Sequence, residues 1–277
     1  LKSASNSEPF GPAKRVYLGT AGFHYEDWVG PFYPRNLAPS AWFEFYATEF
    51  PCVELNASFY SWISAKTMQR FAERAPEGFR FNVKVHRSLT HEIENVVHGL
   101  RAMIESVKPL REQNHFGVFL AQFPVSFRPN AESKRHVLAL AERLSPLCVE
   151  FRSAQWQAHA AEELCQAAPL SVVSVDGPRL RGLPEARPEP GEIGYLRLHG
   201  RNRGKWYDHE EAWERYDYLY SETELQEIAP LARGLIEEKH ETYIIFNNHY
   251  GAQAVTNARQ MAALLGIPLQ PAQRRLF

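Results

Sequence analysis

Short apolar runs alternate along this chain with longer stretches whose apolar residues recur at three- and four-residue spacing. Runs at 15–19 (RVYLG), 52–55 (CVEL), 79–85, 115–120, 147–151, 170–175, 193–198 and 242–246 read as eight strands. The spacing between them predicts helices over 40–50, 65–75, 91–112, 130–144, 155–168, 221–238 and 252–265. Ser40, Ser64, Asn130 and Ser221 stand as N-caps, Glu224 completes a capping box, and Gly266 ends the last helix. Strands separated by helices pair in parallel through right-handed crossovers. Eight such units in 277 residues predict an α/β chain forming a single-domain (β/α)8 TIM-type barrel. The barrel spans 15–266, between a flexible segment 1–14 and a tail 267–277. The rival is an open doubly wound sheet, but no Gly-x-Gly-x-x-Gly follows the first strand to support it.

The strands break their apolar pattern at one end. Their last positions carry Glu54 and Asn56, Lys84 and His86, Gln122, Glu150 and Arg152, Asp176, Arg197 and His199, and Asn247 with Asn248. Four of these sets are i, i+2 pairs, whose side chains share one side of an extended chain. Glu54 with Lys84, or Glu150 with Arg152, would be unremarkable as an ion pair filling the barrel mouth. A whole ring of such residues on the carboxyl rim, where barrels of this kind keep their active sites, favours function.

Composition narrows the classes. Net charge is -1, so the chain as a whole has no basic nucleic-acid footprint. Cys52, Cys148 and Cys165 form no Cys-x-x-Cys, which argues against a disulfide framework or thiolate zinc site and fits a reducing compartment, the cytoplasm. No run reaches the roughly 18–20 apolar residues of a membrane span, and the polar opening residues lack a signal-peptide core. Lone histidines on loops, His24, His91 and His249, are more often solvated than catalytic. Met68 and Met103 read as core. Trp28, Trp42, Trp62, Trp156, Trp206 and Trp213 lie mostly beside loops that follow strands, where a cluster would make a stacking wall.

Seven segments occur in a familiar order: GTAGFHYEDWVGPFYP, VELNASFY, FNVKVHRSLTHE, QFPVSF, VEFR, YLRLHG and YIIFNNHYGAQAVTNA. By these motifs, from about Val16 to Leu265, the chain resembles the domain-of-unknown-function family 72, also called YecE-like. The resemblance implies a TIM-type barrel. It carries a family site onto Glu54, Asn56, Phe59, Tyr60, Lys84, Thr90, His91, Gln122, Pro124, Glu150, Arg152, Arg197, His199, Asn247 and Asn248. Val125 stands where the family usually has a second proline, and Phe23 where Trp is common; both read as changes of shape. The resemblance implies no particular reaction.

The residues support three readings. In the first, a metal-independent, hydrolase-like enzyme without cofactor acts on a small anionic or phosphorylated ligand. Glu54, Glu150, Lys84 and His199 carry the chemistry, with a glutamate as general acid or base. Asn56, Tyr60, His91, Gln122, Arg152, Arg197, Asn247 and Asn248 hold the substrate. Arg197, His199 and the segment 247–251 before the last helix would cradle an anion. In the second, Glu54, Glu150, Asp176, His86 and His199 bind a divalent metal, as in phosphodiesterase or nucleic-acid repair barrels, although the rim cations oppose this. The basic stretch 201–205 leaves nucleic acid a less favoured partner. In the third, the barrel binds a ligand without turnover. The aromatic stretch 201–220, long for a connection, is predicted to cover the mouth.

Overall fold

The computed structural model describes residues 14–157 and 159–269. Most of the expected terminal segments 1–14 and 267–277 lie outside the described residues. Nine parallel strands form one sheet curled into a nearly closed barrel: β1 (Arg15–Ala21), β2 (Cys52–Leu55), β3 (Arg80–Lys84), β4 (Phe116–Phe123), β5 (Leu147–Phe151), β6 (Leu170–Val172), β7 (Ser174–Asp176), β8 (Ile193–Leu198) and β9 (Glu241–Phe246). Their order is β6-β5-β4-β3-β2-β1-β9-β8-β7. The sixth strand read from sequence is divided at Val173. Its first half pairs with β5 and its second with β8, so one run of chain joins both edges.

Eight α-helices among the described residues pack outside: α1 (Trp42–Ala47), α2 (Ala57–Tyr60), α3 (Ala65–Arg74), α4 (Val96–Glu112), α5 (Ala131–Ala141), α6 (His159–Ala167), α7 (Glu222–Glu238) and α8 (Gln253–Leu265). Ser64, Asn130 and Ser221 cap as expected, each side chain accepting from first-turn backbone N–H groups. Several boundaries differ, among them that of α6, which begins at His159 after a 3₁₀ turn at Ala154–Trp156. Ser40 falls inside a 3₁₀ turn and Ala41 precedes α1. Helix α4 starts at Val96, because Ile93 and Asn95 adopt φ of 51° and break the helical path. The four-residue α2 had no sequence signal. No helix among the described residues is long and apolar enough to cross a membrane.

Strand alternation sorts the chain into two apolar layers. Outward residues such as Val53, Phe81, Phe119, Val149 and Leu196 meet the helices in one large core. Inward residues Ala21, Cys52, Val118, Leu120, Cys148, Tyr195, Tyr243 and Ile245 fill the barrel as a second, smaller core. Two residues further along several strands, the same inward face carries Glu54, Gln122, Glu150, Arg197 and Asn247, so the site stands directly on this plug.

Gly117 makes room for the plug's polar part. A Cβ there would lie 2.2 Å from Asn82 Oδ1 and 2.9 Å from the Tyr243 hydroxyl. Asn82 Nδ2 donates to the Tyr195 hydroxyl (3.2 Å), which donates to Glu54 Oε2 (2.9 Å). Gly117→Ala is therefore expected to push Asn82 aside and destabilise the fold by about 1–3 kcal/mol, read as a lower urea midpoint. An unchanged midpoint would show that the plug has slack.

Candidate active site

Arg197 of β8 lies between two carboxylates. Its Nη2 donates to Glu54 Oε1 at 2.6 Å and its Nη1 to Glu150 Oε2 at 2.5 Å. All three side chains are at most 1% exposed. Glu54 gives its second oxygen to Tyr195. Glu150 Oε1 meets Arg152 Nε in an ion pair without hydrogen-bond geometry, and stands 3.2 Å from His199 Nε2. The Asn247 amide donates to His199 Nδ1 at 2.9 Å, so the ring proton sits on Nε2 and points at Glu150.

Electrostatics follow from this packing. Burial alone would raise the Glu150 carboxyl, but Arg197, then Arg152 and His199, hold it well below the ordinary 4.5. Burial, then Arg152, lowers His199 to about 3, so it stays neutral. Two carboxylates and two guanidiniums balance, and all four carboxylate oxygens have protein partners.

Lys84, at the end of β3, is the surplus cation. It is 9% exposed, and among the described residues its Nζ has neither a hydrogen bond nor an ion pair. Its one close partner is the Phe59 ring, with Nζ 4.3 Å from the centroid. Burial, then Arg197, outweighs Glu54 and Glu150 and lowers it from 10.5 to about 7. His91 touches the same Phe59 ring edge-on at 4.9 Å. Burial, then Lys84 and Arg152, lowers its pKa too.

The stretch 201–220 packs over this mouth, as its aromatics predict. Trp206 lies against the Arg152 guanidinium (5.5 Å) and the His199 ring (6.4 Å). Tyr216 contacts His249, which stacks on Tyr25 at 4.6 Å. Asp176 pins both ends: Arg201 donates to it at 2.8 Å and the Tyr220 hydroxyl at 2.8 Å. That hydroxyl also accepts from Gly200 N. A shallow cleft with room for little more than one water molecule, bounded by Arg152, Val175, Pro184 and Trp206, opens beside the mouth.

Sequence expectations divide here. Glu54, Lys84, Gln122, Glu150, Arg152, Arg197, His199 and Asn247 converge on one mouth. The anion cradle at 247–251 is overturned, because its donors are taken. Arg197 is bound by two glutamates, Asn247 by His199, and Asn248 by Tyr218 O and Asn257. Gly251 N donates to Asp27 at 2.6 Å. The proposed metal ligands disperse as well. His86 bonds Ser88 and stacks on Trp62, while Asp176 holds the lid. No three His, Cys, Asp or Glu side chains among the described residues converge as ligands. Groups with free polar capacity are Lys84 Nζ, the Arg152 Nη atoms and the Gln122 amide, with Asn56 Oδ1 buried and unpartnered. Tyr60 is 68% exposed at the rim, close enough to feel Tyr216 and Arg215 of the lid. Tyr195 was missed, although stepping back two from Arg197 points to it.

The family model for "Protein of unknown function DUF72" matches residues 17–275. The chain belongs to this family. The DUF72 protein from Thermotoga maritima is similar over 91% of this chain and 99% of its own, with 35% identity and a TM-score of 0.83. The UPF0759 protein YunF of Bacillus subtilis is 27% identical across 95% of this chain and its whole length. SacUVDE overlaps 91% of this chain and 98% of its own at a TM-score of 0.52; at 8% identity the likeness is one of fold alone. This DUF72 chain is thus an α/β barrel.

The buried network sets a pH response. The folded carboxyl of Glu150 sits below its unfolded value, so its stabilisation is present above about pH 4.5 and lost as pH falls through the folded value. Glu150→Gln leaves Arg197 and Arg152 undercompensated and is expected to cost about 3–5 kcal/mol at pH 7. It should also flatten the fall in urea midpoint as the pH drops below about 4.5. An unaltered acid limb would mean that other carboxylates govern it.

Proposed function

We propose that this barrel is an enzyme performing metal-independent acid/base chemistry on a small anionic substrate at its mouth. The observation that carries this is Lys84, a buried lysine whose neighbouring carboxylates are already matched by Arg197 and Arg152. A lysine held near neutrality gives and takes a proton at working pH, which an ordinary lysine does not. The Arg152 Nη donors, facing the mouth beside Trp206, supply a fixed positive charge for the anion. Gln122 and Asn56 add orienting polar groups. Phe59, Tyr60 and Trp206 form apolar walls.

Glu54 and Glu150 take a role different from the acid or base expected of them. With every oxygen engaged, they fix Arg197, Arg152 and His199 and set the field at Lys84. Hydrolysis of an ester or phosphate is one reaction this set supports, with Lys84 free base accepting the proton of water. The nucleic-acid reading has less support. In the stretch 201–205, Arg201 is committed to Asp176 and Glu227, and Lys205 to Glu214, which leaves little charge for a phosphate backbone.

Phosphate or sulfate titration is expected to raise the melting temperature of the wild type, by mass action on the folded state. Arg152→Met should remove the increment, while the exposed Arg101→Met should keep it. A panel of small phosphate and carboxylate esters, followed by proton NMR, should show one consumed by the wild type and not by Lys84→Met. No anion increment overturns the anionic substrate; binding without turnover overturns the enzyme and leaves a ligand-binding barrel.

Lys84 makes a separate prediction for stability. Its folded value lies below its unfolded one, so the unfolded chain binds more protons between pH 7 and 10.5 and wild-type stability gains there as pH rises. Lys84→Met should therefore be more stable than wild type at pH 7, by on the order of a few kcal/mol, with the difference shrinking toward pH 10. A difference independent of pH would place the Lys84 amine in water.

A further inference from the structure

Every charged group facing Lys84 already has a partner. Glu54, Glu150 and Arg197 are closed on one another, and Arg152 Nε lies on Glu150. His91 stands across the Phe59 ring. The amine thus has no carboxylate to hold its proton. It also lies on an aromatic face, within a barrel wall, under a lid that carries Trp206 over Arg152. Such a group is placed to use its lone pair on carbon as well as on protons. A cation next to a desolvated lysine is one of the recognised ways of freeing that lone pair.

We propose that Lys84 forms a Schiff base with a small carbonyl compound bearing a carboxylate or phosphate, the anion held by Arg152. This rests on the anionic-substrate reading above and names the substrate class. The Nζ lone pair attacks the carbonyl carbon, forming a C–N bond as the π pair moves to oxygen. A proton passes from nitrogen to that oxygen, giving a carbinolamine. A second proton on oxygen, taken from solvent, lets the C–O bond break and water leave. The iminium that remains carries one positive charge. The net change is one proton taken up and one water released, with no oxidant or reductant. The iminium in turn draws electrons from a bond on the adjoining carbon, the step that Schiff-base enzymes exploit.

The test uses the intact wild-type protein, sodium cyanoborohydride as hydride donor, and three carbonyl probes at pH 7. Glyoxylate carries a carboxylate, glycolaldehyde phosphate a phosphate, and propanal no charge. Peptide mass mapping then compares Lys84 with the exposed Lys66 and Lys108 of the same molecule. We expect Lys84 to be labelled at least about ten-fold faster than either by one of the anionic probes, and less by propanal. The arm that labels identifies the anionic group. Arg152→Met should reduce anionic labelling to the propanal level, and Lys84→Arg should leave only the surface lysines labelled. Labelling of Lys84 no faster than Lys66 by every probe overturns the Schiff base. If phosphate still raises the melting temperature through Arg152, the anionic-substrate reading survives that failure; if it does not, both fall. Equal labelling by propanal and the anionic probes would keep the amine chemistry and overturn the anion's part in it.

Discussion

Arg197 bridging Glu54 and Glu150 is the interaction on which the rest of the mouth depends. A guanidinium has a fixed planar fork of donors, so binding one carboxylate on each branch sets the separation and tilt of both. Those carboxylates belong to β2 and β5, neither of which pairs with β8: β5 lies beyond the divided sixth strand, and β2 beyond β9 and β1. The bridge therefore crosses the barrel and ties together strands that share no backbone hydrogen bonds. Buried ion pairs of this kind add little to stability over a well-packed apolar filling. Their value here is geometric: they fix where Arg152, His199 and Lys84 stand, and they decide which of those groups keeps its proton.

The layer beneath explains how such a charge cluster is tolerated. Tyr195, Asn82 and Gly117 give Glu54 a polar floor, while Tyr243, Ile245 and Leu120 keep water from below. Asn247 does the same for His199 from the side. Apart from the Nε atoms of Arg197 and Arg152, the ion-pair cluster is satisfied, and low dielectric then strengthens each bond in it. Lys84 is the exception by design of the charge count, since two acids were given two arginines and the lysine was added on top.

Much of this could be read along the chain. The alternation of strand and helix, the i, i+2 pairs at strand ends and the aromatic stretch 201–220 are local signals, and the structure answers them. Tyr195 escaped because a tyrosine in a strand looks like packing until its inward neighbours Arg197 and His199 are recognised as one face. The anion cradle at 247–251 failed for the opposite reason. Local chemistry there does suit an anion, but Asp27, more than two hundred residues earlier, fills it with a carboxylate of the protein's own. Nor does sequence show which acid matches which base, and that pairing is what leaves Lys84 alone.

The double grip of Asp176 on Arg201 and Tyr220 has an evolutionary consequence. The intervening loop begins and ends at one carboxylate, so its length is almost independent of the barrel below. Lengthening a loop whose ends are already held together adds little entropy, about 0.6 kcal/mol for each doubling. Insertions or deletions between the two anchors can therefore reshape the roof without moving Arg197 or its glutamates. A lineage that keeps Asp176, Gly200, Arg201 and Tyr220 retains the same hinge points while changing what fits under them. Substrate range and barrel stability become separately selectable traits.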